Sequence, residues 1–162
     1  VGFSFQPSDR FSLDLDLNYM DHDGWLLHQE NRNMTAFGAY DFQPRLAMDV
    51  FLTAKQQLRL SLQWAAIRAE EQEFYLIPSG GGTLIQVEKP EGPTDNFALS
   101  RLTAQLRYRW EIAPLSDLFV VYTRGSNLPG RVDDGFNDLF DDALNEPIID
   151  YFVIKLRYRF GL

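Results

Sequence analysis

Apolar and polar residues alternate along most of this chain with a period of two, which is the pattern of a β-strand with one apolar and one polar face. The pattern is clearest in five runs, residues 11–19, 44–52, 58–64, 101–110 and 152–162. The helical period has no comparable support. The alternation predicts about seven strands, at residues 1–6, 10–20, 34–52, 57–69, 97–112, 117–124 and 149–162. Pro44 interrupts the third and could divide it, which would make eight.

The segments between these strands fall into two length classes that alternate along the chain. Short, turn-rich connections lie near residues 6–9, 53–56 and 113–117, and long polar segments lie at 21–34, 70–96 and 125–148. This alternation predicts an antiparallel up-and-down meander with short turns at one end and long loops at the other. The short turns also predict the cross-strand pairs Val50–Leu58, Asp49–Arg59, Trp110–Leu118 and Leu106–Tyr122.

Composition adds exclusions to this picture. The 162 residues include 15 Lys and Arg, 23 Asp and Glu and no Cys, with a net charge of -8. A chain without cysteine has no disulfide, thiolate metal site or cysteine nucleophile, and the acidic balance argues against a nucleic-acid surface. No apolar run approaches the ~20 residues of a transmembrane helix. In strands that are half apolar and half charged, the two kinds of residue cancel in the mean hydropathy. The composition is therefore still compatible with a membrane barrel.

Alternation alone is compatible with a soluble lipocalin-like barrel, whose apolar face points inward, or an outer-membrane barrel, whose apolar face points to lipid. Strands of 11 or more residues and aromatic residues near the strand ends favour the membrane barrel. The predicted interface aromatics are Tyr19, Trp25, Tyr108, Trp110, Tyr158 and Phe160. We therefore expect an all-β antiparallel meander that forms part of a transmembrane barrel in a Gram-negative outer membrane, with membrane lipid and lipopolysaccharide as its surroundings.

The final strand alternates through Phe160 and Leu162 to the last residue. This terminus resembles the C-terminal assembly signal of bacterial outer-membrane proteins. The resemblance implies that the barrel assembly machinery is a partner of this strand.

A wider resemblance covers most of the chain. It rests on residues 13–19 (LDLDLNY), 23–25 (DGW), 49–64 (DVFLTAKQQLRLSLQW) and 106–125 (LRYRWEIAPLSDLFVVYTRG). These stretches resemble the C-terminal barrel of a bacterial family of unknown function. Its members join an N-terminal domain similar to family 9 carbohydrate-binding modules to a C-terminal outer-membrane barrel. The resemblance implies that residues 1–162 are one segment, the closing part of a larger barrel, whose partners include upstream strands or other chains.

The polar face of the predicted sheet is charged. Its basic residues are Arg59, Arg101, Arg107, Arg109, Lys155, Arg157 and Arg159, and its acidic residues are Asp14, Asp16, Asp41 and Asp49. One interpretation is a lumen that attracts anions, since rings of Arg or Lys select anionic solutes. The alternative is that these charges pair across strands and keep the lumen wet or plugged. The second interpretation is favoured.

Two loops offer candidate chemistry. The acidic loop 131–142 could supply oxygen ligands to Ca²⁺, but its spacing is not that of an EF-hand, so a solvated loop is favoured and no metal is expected. Its apolar residues Phe136, Leu139 and Phe140 indicate that it packs on something, as a short helix or against the lumen or a partner. The triplet 21–23 (Asp-His-Asp), with His28, could form a rim hydrolase site, although a polar rim is favoured.

The glycines at 80–82 precede Thr83 without the Lys of a phosphate-binding loop, so they are expected to form a flexible loop tip beside residues 88–93. The function expected from the sequence is a membrane anchor or passive pore for a larger surface protein, without enzyme activity or cofactor. The alternatives are an outer-membrane hydrolase and a soluble lipocalin-like carrier.

Overall fold

The computed structural model describes residues 1–89 and 91–160 as eight strands and one helix. The elements are β1 (Gly2–Ser8), β2 (Phe11–His28), β3 (Asn33–Thr53), β4 (Gln56–Leu76), β5 (Ile85–Val87), β6 (Phe97–Ala113), β7 (Ser116–Gly130), α1 (Phe136–Asn145) and β8 (Ile149–Arg157).

All the described strands belong to one antiparallel sheet with the order β1-β2-β3-β4-β6-β7-β8, and the short strand β5 pairs with the end of β4. The predicted all-β antiparallel meander is therefore confirmed. The sheet is not closed, so β1 and β8 form its two edges. The four cross-strand pairs that the short turns predicted are also confirmed.

The two ends of the sheet differ as the sequence predicted. Two-residue turns at 9–10, 54–55 and 114–115 lie at one end, here called the turn end. The connections 29–32, 77–84 and 131–148 and the described residues of the segments 88–89 and 91–96 lie at the opposite end, here called the loop end. Prediction of the strand limits at the loop end was wrong, because β2, β4 and β7 continue through residues assigned to long loops and the β2–β3 connection has only four residues.

The final strand also differs from its prediction. β8 ends at Arg157, and residues 158–160 are not part of a strand. Residues 161 and 162, which complete the predicted terminal strand, lie outside the described residues, as does Pro90 of the predicted loop-tip segment.

Pro44 does not divide β3, which is continuous over 21 residues. Proline has no N–H to donate to a sheet ladder. The β3–β4 ladder accordingly pairs Phe42 with Ala66 and then Arg45 with Gln63, without paired residues between them. Pro44 keeps its place opposite Leu17 on β2, so the break affects only one side of the strand.

The register gives the sheet two chemically different faces, because paired residues in an antiparallel sheet point to the same side. The apolar face includes Leu13, Leu15 and Leu17 of β2, Leu46 and Met48 of β3, Leu60 and Leu62 of β4, Leu106 and Trp110 of β6, and Ile154 and Leu156 of β8. The charged face includes Asp14, Asp16, Arg45, Asp49, Arg59, Arg101, Arg107, Arg109, Lys155 and Arg157.

Helix α1 packs on the apolar face, near the loop end. Leu139 and Ala143 are fully buried against Trp64 and Leu102 of the sheet, and Phe136 and Phe140 pack beside them. The helix begins where the Asp138 carboxylate accepts a 3.1 Å hydrogen bond from the Gly135 N–H. The prediction that these apolar loop residues pack on something is therefore confirmed, and of the alternatives left open the structure shows a short helix on the sheet. No helix within residues 1–89 and 91–160 is long and apolar enough to span a bilayer.

Candidate functional site

A band of apolar side chains lies uncovered on the turn-end half of the apolar face. Its members include Leu17, Leu106, Trp110, Phe152, Ile154 and Leu156, which are between 38% (Leu106) and 63% (Ile154) exposed. Exposed apolar patches of this kind mark surfaces that meet a partner or a lipid phase. The band spans β2 to β8 and is therefore a property of the whole sheet rather than of one strand.

Towards the loop end, the band is bounded by aromatic and charged residues. On β2 and β3, Tyr19 and Tyr40 stack with their ring centroids 6.3 Å apart. Beyond this pair lies an open groove of about 530 Å³ lined by carboxylates, among them Asp21, Asp23 and Glu70. The apolar surface of the sheet therefore ends where acidic residues begin.

On β7 and β8, the same boundary is formed by an ion pair. Arg124 Nη1 lies 3.1 Å from the Asp150 carboxylate, and Arg124 Nε donates a 2.8 Å hydrogen bond to the carbonyl of Leu144 near the end of α1. A cation at a helix C-terminus satisfies carbonyls that have no partner within the helix. Arg124 thus holds α1 along the edge of the band.

Five of the six predicted interface aromatics lie near the limits of the band. Tyr19 is at the loop-end limit, and Tyr108, Trp110, Tyr158 and Phe160 are near the turn end, where the rings of the last two are 4.8 Å apart. Trp25 lies elsewhere, because the irregularity between His22 and Trp25 changes the register.

Trp25 packs on the charged face with Phe37 and Phe97. The Phe97 ring lies 5.5 Å from that of Phe37 and 6.1 Å from that of Trp25. Alternation placed Trp25 on the same side as Tyr19, and the bulge around Gly24, whose φ is +74°, is the reason for the difference. The three rings form an apolar cluster on the loop-end half of the charged face.

The charged face changes sign across the sheet. Asp14 and Asp16 lie on β2, Asp49 on β3, and Arg59 on β4. The strands beyond contribute mainly basic residues, which are Arg101, Arg107 and Arg109 on β6 and Lys155 and Arg157 on β8. The sequence predicted these two groups, and the strand order places them on opposite sides of the same face.

Some of these charges are paired. Arg59 Nη2 lies 2.6 Å from Asp49 Oδ2, across the β3–β4 hairpin. At the turn end, Asp117 binds two cations, with Arg109 Nε 2.9 Å from its Oδ1 and Arg157 bound to its Oδ2. The Asp117 side chain is 1% exposed. The charged residues predicted from the sequence did not include Asp117, because it lies directly after the turn at 114–115, where the alternation is interrupted.

Four of the seven predicted basic residues are not in such pairs. Within the described ranges, no carboxylate oxygen lies within 4.0 Å of the charged nitrogens of Arg101, Arg107, Lys155 or Arg159. Arg107 donates a 3.1 Å hydrogen bond to the amide oxygen of Gln105 on its own strand. Asp14, Asp16 and Asp41 are likewise outside the ion pairs of the described residues, so the charged face combines neutralised pairs with unpaired charges of both signs.

The predicted hydrolase residues do not form a hydrogen-bonded Asp–His pair in the part of the chain that the structure describes. The His22 ring lies 6.0 Å from the Trp25 ring, and His28 Nε2 is 3.1 Å from the backbone oxygen of Asn31. The same described ranges contain no cluster of three or more His, Asp or Glu side chains able to hold a metal ion.

A second cavity at the loop end, of about 300 Å³, is lined by Phe74, Tyr75 and Glu71 among others. The Glu71 carboxylate already has two partners within the protein. It lies 2.5 Å from Lys89 Nζ and accepts a 2.6 Å hydrogen bond from the Asp95 N–H. Hydrogen bonding to Glu73 raises the pKa of the Tyr75 phenol above its usual value, because the neutral phenol is the donor.

These features define an antiparallel β-meander protein whose sheet has an exposed apolar face and a charged face. The chain belongs to the family described as a domain of unknown function, DUF5916, whose family model matches residues 1–160. No functionally curated protein and no solved structure matches the chain significantly. Membership of a family of unknown function is thus confirmed, and the outer-membrane barrel and the carbohydrate-binding-like domain stay predictions.

Proposed function

We propose that this chain is part of the wall of a bacterial outer-membrane β-barrel, which acts as a membrane anchor or passive pore for a larger surface protein. The observation that supports this most directly is the exposed apolar band across β2 to β8. Side chains such as Phe152, Ile154 and Leu156 are about 60% exposed. In water, an apolar surface that extends across a whole sheet would favour association, whereas in lipid it needs no further cover.

The dimensions and limits of the band support the proposal. Strands of 15 to 21 residues in β2, β3, β4, β6 and β7 exceed the ~9 to 11 that cross a bilayer with tilt. Tyrosines such as Tyr19 and Tyr40 border the band, in the manner of the aromatic girdles of membrane barrels. Acidic groups follow immediately beyond them, where a lipid core would end.

The open sheet sets a condition on this proposal. Unpaired backbone groups at a sheet edge are too costly to leave in lipid, so β1 and β8 need partner strands. Seven strands on the main path make β1 and β8 parallel to each other. An antiparallel barrel therefore closes only with an odd number of further strands between them, contributed from outside the residues described here. A larger barrel meets this condition.

Quenching by brominated lipid tests the proposal, because bromine on acyl chains quenches only those tryptophans that contact the lipid core. The intact chain is reconstituted into phosphatidylcholine vesicles with and without brominated acyl chains. Trp110 lies in the apolar band, Trp25 packs on the charged face, and Trp64 is buried beneath α1. We expect strong quenching that is lost in Trp110→Phe and retained in Trp25→Phe.

The result that contradicts the proposal is equally specific. A chain that is monomeric in buffer without detergent, and whose Trp110 fluorescence is unaffected by brominated vesicles, would favour the soluble lipocalin-like barrel. Cleavage of peptide or ester substrates by the reconstituted chain, abolished in His22→Ala, would favour the hydrolase.

A further inference from the structure

We propose that the charged face contains a binding site for a small oxyanion, in the cavity between β3, β4 and β6. The cavity has a volume of about 290 Å³. It is open to solvent, and two exposed arginines, Arg45 and Arg101, line it from strands on opposite sides of β4. The other lining residues are Gln43, Gln63, Trp64, Ala65 and Thr103.

The register of the sheet builds this cavity from two neighbouring rows of residues. In one row, Arg45 lies opposite Gln63, which lies opposite Thr103. In the next row, Arg101 lies opposite Ala65. The methyl group of Ala65 is much smaller than its polar neighbours, so it leaves space on β4 between the side chains of the outer strands.

The charges that face this space are positive. Within residues 1–89 and 91–160, neither Arg45 nor Arg101 has a carboxylate oxygen within 4.0 Å of its guanidinium. Two cations that line one cavity repel each other, and a bound anion converts this repulsion into attraction. A bound anion would therefore interact favourably with both guanidiniums.

Two carboxylates lie nearby but do not line the cavity. Asp16 is opposite Arg45 on β2 and lines, together with Asp14, an adjoining cavity of about 160 Å³ that shares Arg45 and Gln63 with the first. Asp41 lies two residues from Gln43, and its Oδ2 accepts a 2.7 Å hydrogen bond from Gln43 Nε2. Asp14 and Asp16 lie on β2, so Arg101 on β6 is the arginine further from these two carboxylates.

The donor set indicates the class of ligand. A guanidinium presents its N–H groups as a planar fork that matches two oxygens of a phosphate or carboxylate. Gln63 and Thr103 add an amide and a hydroxyl that can donate to the remaining oxygens. The ligand class is thus a phosphate- or carboxylate-bearing solute. This inference goes beyond the proposed membrane role, because the site requires only the charged face.

The test is binding of inorganic phosphate to the purified full-length chain, measured by calorimetric titration at low ionic strength, where screening is weak. The variants are Arg45→Gln and Arg101→Gln. Lys55→Gln is the matched control, because it removes the same charge from the exposed turn at 54–55. Far-UV circular dichroism verifies the sheet in each variant, and Arg101→Lys supplies a variant that keeps the charge without the fork.

We expect phosphate binding to weaken about tenfold in each Arg→Gln variant, the effect of losing one charge-assisted hydrogen-bonding group, and to be unchanged in Lys55→Gln. Arg101→Lys should show an intermediate loss. The proposal is overturned if the chain does not bind phosphate, or if all four variants bind it as the unmodified chain does. Failure of the lipid-quenching experiment would leave this result unaffected, so the two proposals are separately testable.

Discussion

The indole Nε1 of Trp64 donates a 2.9 Å hydrogen bond to the hydroxyl of Ser100 on the neighbouring strand. The same hydroxyl donates a 2.7 Å hydrogen bond to the carbonyl of Leu139 in α1. Ser100 is 1% exposed, so water does not compete for either contact. A single buried hydroxyl therefore joins β4, β6 and α1.

Ser100→Ala is expected to lower the free energy of unfolding by about 2 kcal/mol, because it leaves the Trp64 N–H and the Leu139 carbonyl buried without this partner. Denaturant unfolding in detergent measures the change. The exposed Ser79 supplies the control, and Ser79→Ala should leave the midpoint unchanged. Equal midpoints for the two variants would show that the hydroxyl does not stabilise the packing of α1.

Gly130 allows α1 to approach β7. A Cβ atom at this position would lie 2.2 Å from Cδ2 of Leu139, and 3.4 Å from Cβ of Ala98. Gly130→Ala is therefore expected to displace the helix and to destabilise the chain by about 1 to 3 kcal/mol, the usual cost of overpacking. Trypsin susceptibility of the segment around Arg131 is a local measure of this displacement.

Gly80→Ala is the matched control for Gly130→Ala, because a Cβ at Gly80 meets no atom within 4 Å. It should unfold as the unmodified chain does. If Gly130→Ala behaves identically to this control, then close approach of Leu139 to β7 does not stabilise the fold.

Asp117 connects three strands at the turn end through its contacts with Arg109 and Arg157. Asp117→Asn is expected to lower the urea midpoint, because the buried side chain loses the charge that attracts both guanidiniums. Asp133→Asn removes an equal charge from an exposed loop and should have no comparable effect. Similar midpoints in both variants would mean that the two ion pairs contribute little.

Two neighbouring arginines should affect conductance differently if the proposed barrel forms a pore. Arg107 has no carboxylate within 4.0 Å among the described residues, whereas Arg109 is paired with Asp117. Arg107→Gln is therefore expected to reduce anion preference in planar-bilayer recordings of the intact barrel, and Arg109→Gln to change it less. Equal selectivity in both variants and the unmodified barrel would contradict an anion-attracting lumen.

The turn-end half of the sheet could be predicted from the sequence, because each strand there has one consistently apolar face. Leu58 and Leu106 alternate with Arg59 and Arg107, and short turns fix the register of each hairpin. The prediction failed at the loop end, where both faces of the sheet are covered. Ala39 and Ala69 are buried on one face, and α1 covers Ala66 on the other, so alternation disappears while the strands continue.

Some residues of the candidate sites could likewise be predicted from the sequence, and others could not. Asp49 and Arg59 follow directly from a hairpin and were predicted as a pair. The cavity of Arg45 and Arg101 was not predicted, since it depends on the β4–β6 register across a long connection that the sequence does not fix. The position of Trp25 depended on a bulge, and a single added residue reverses the face of every residue that follows.

The length of β3 and β4 has a consequence for where the loops of this protein act. Each strand has 21 residues, which at about 3.3 Å per residue spans roughly 70 Å, about twice the length of strand needed to cross a bilayer. In the proposed barrel, the loop-end half of the sheet would therefore extend beyond the lipid bilayer. Molecules approaching from outside would meet the acidic groove and α1 first, well above the membrane surface.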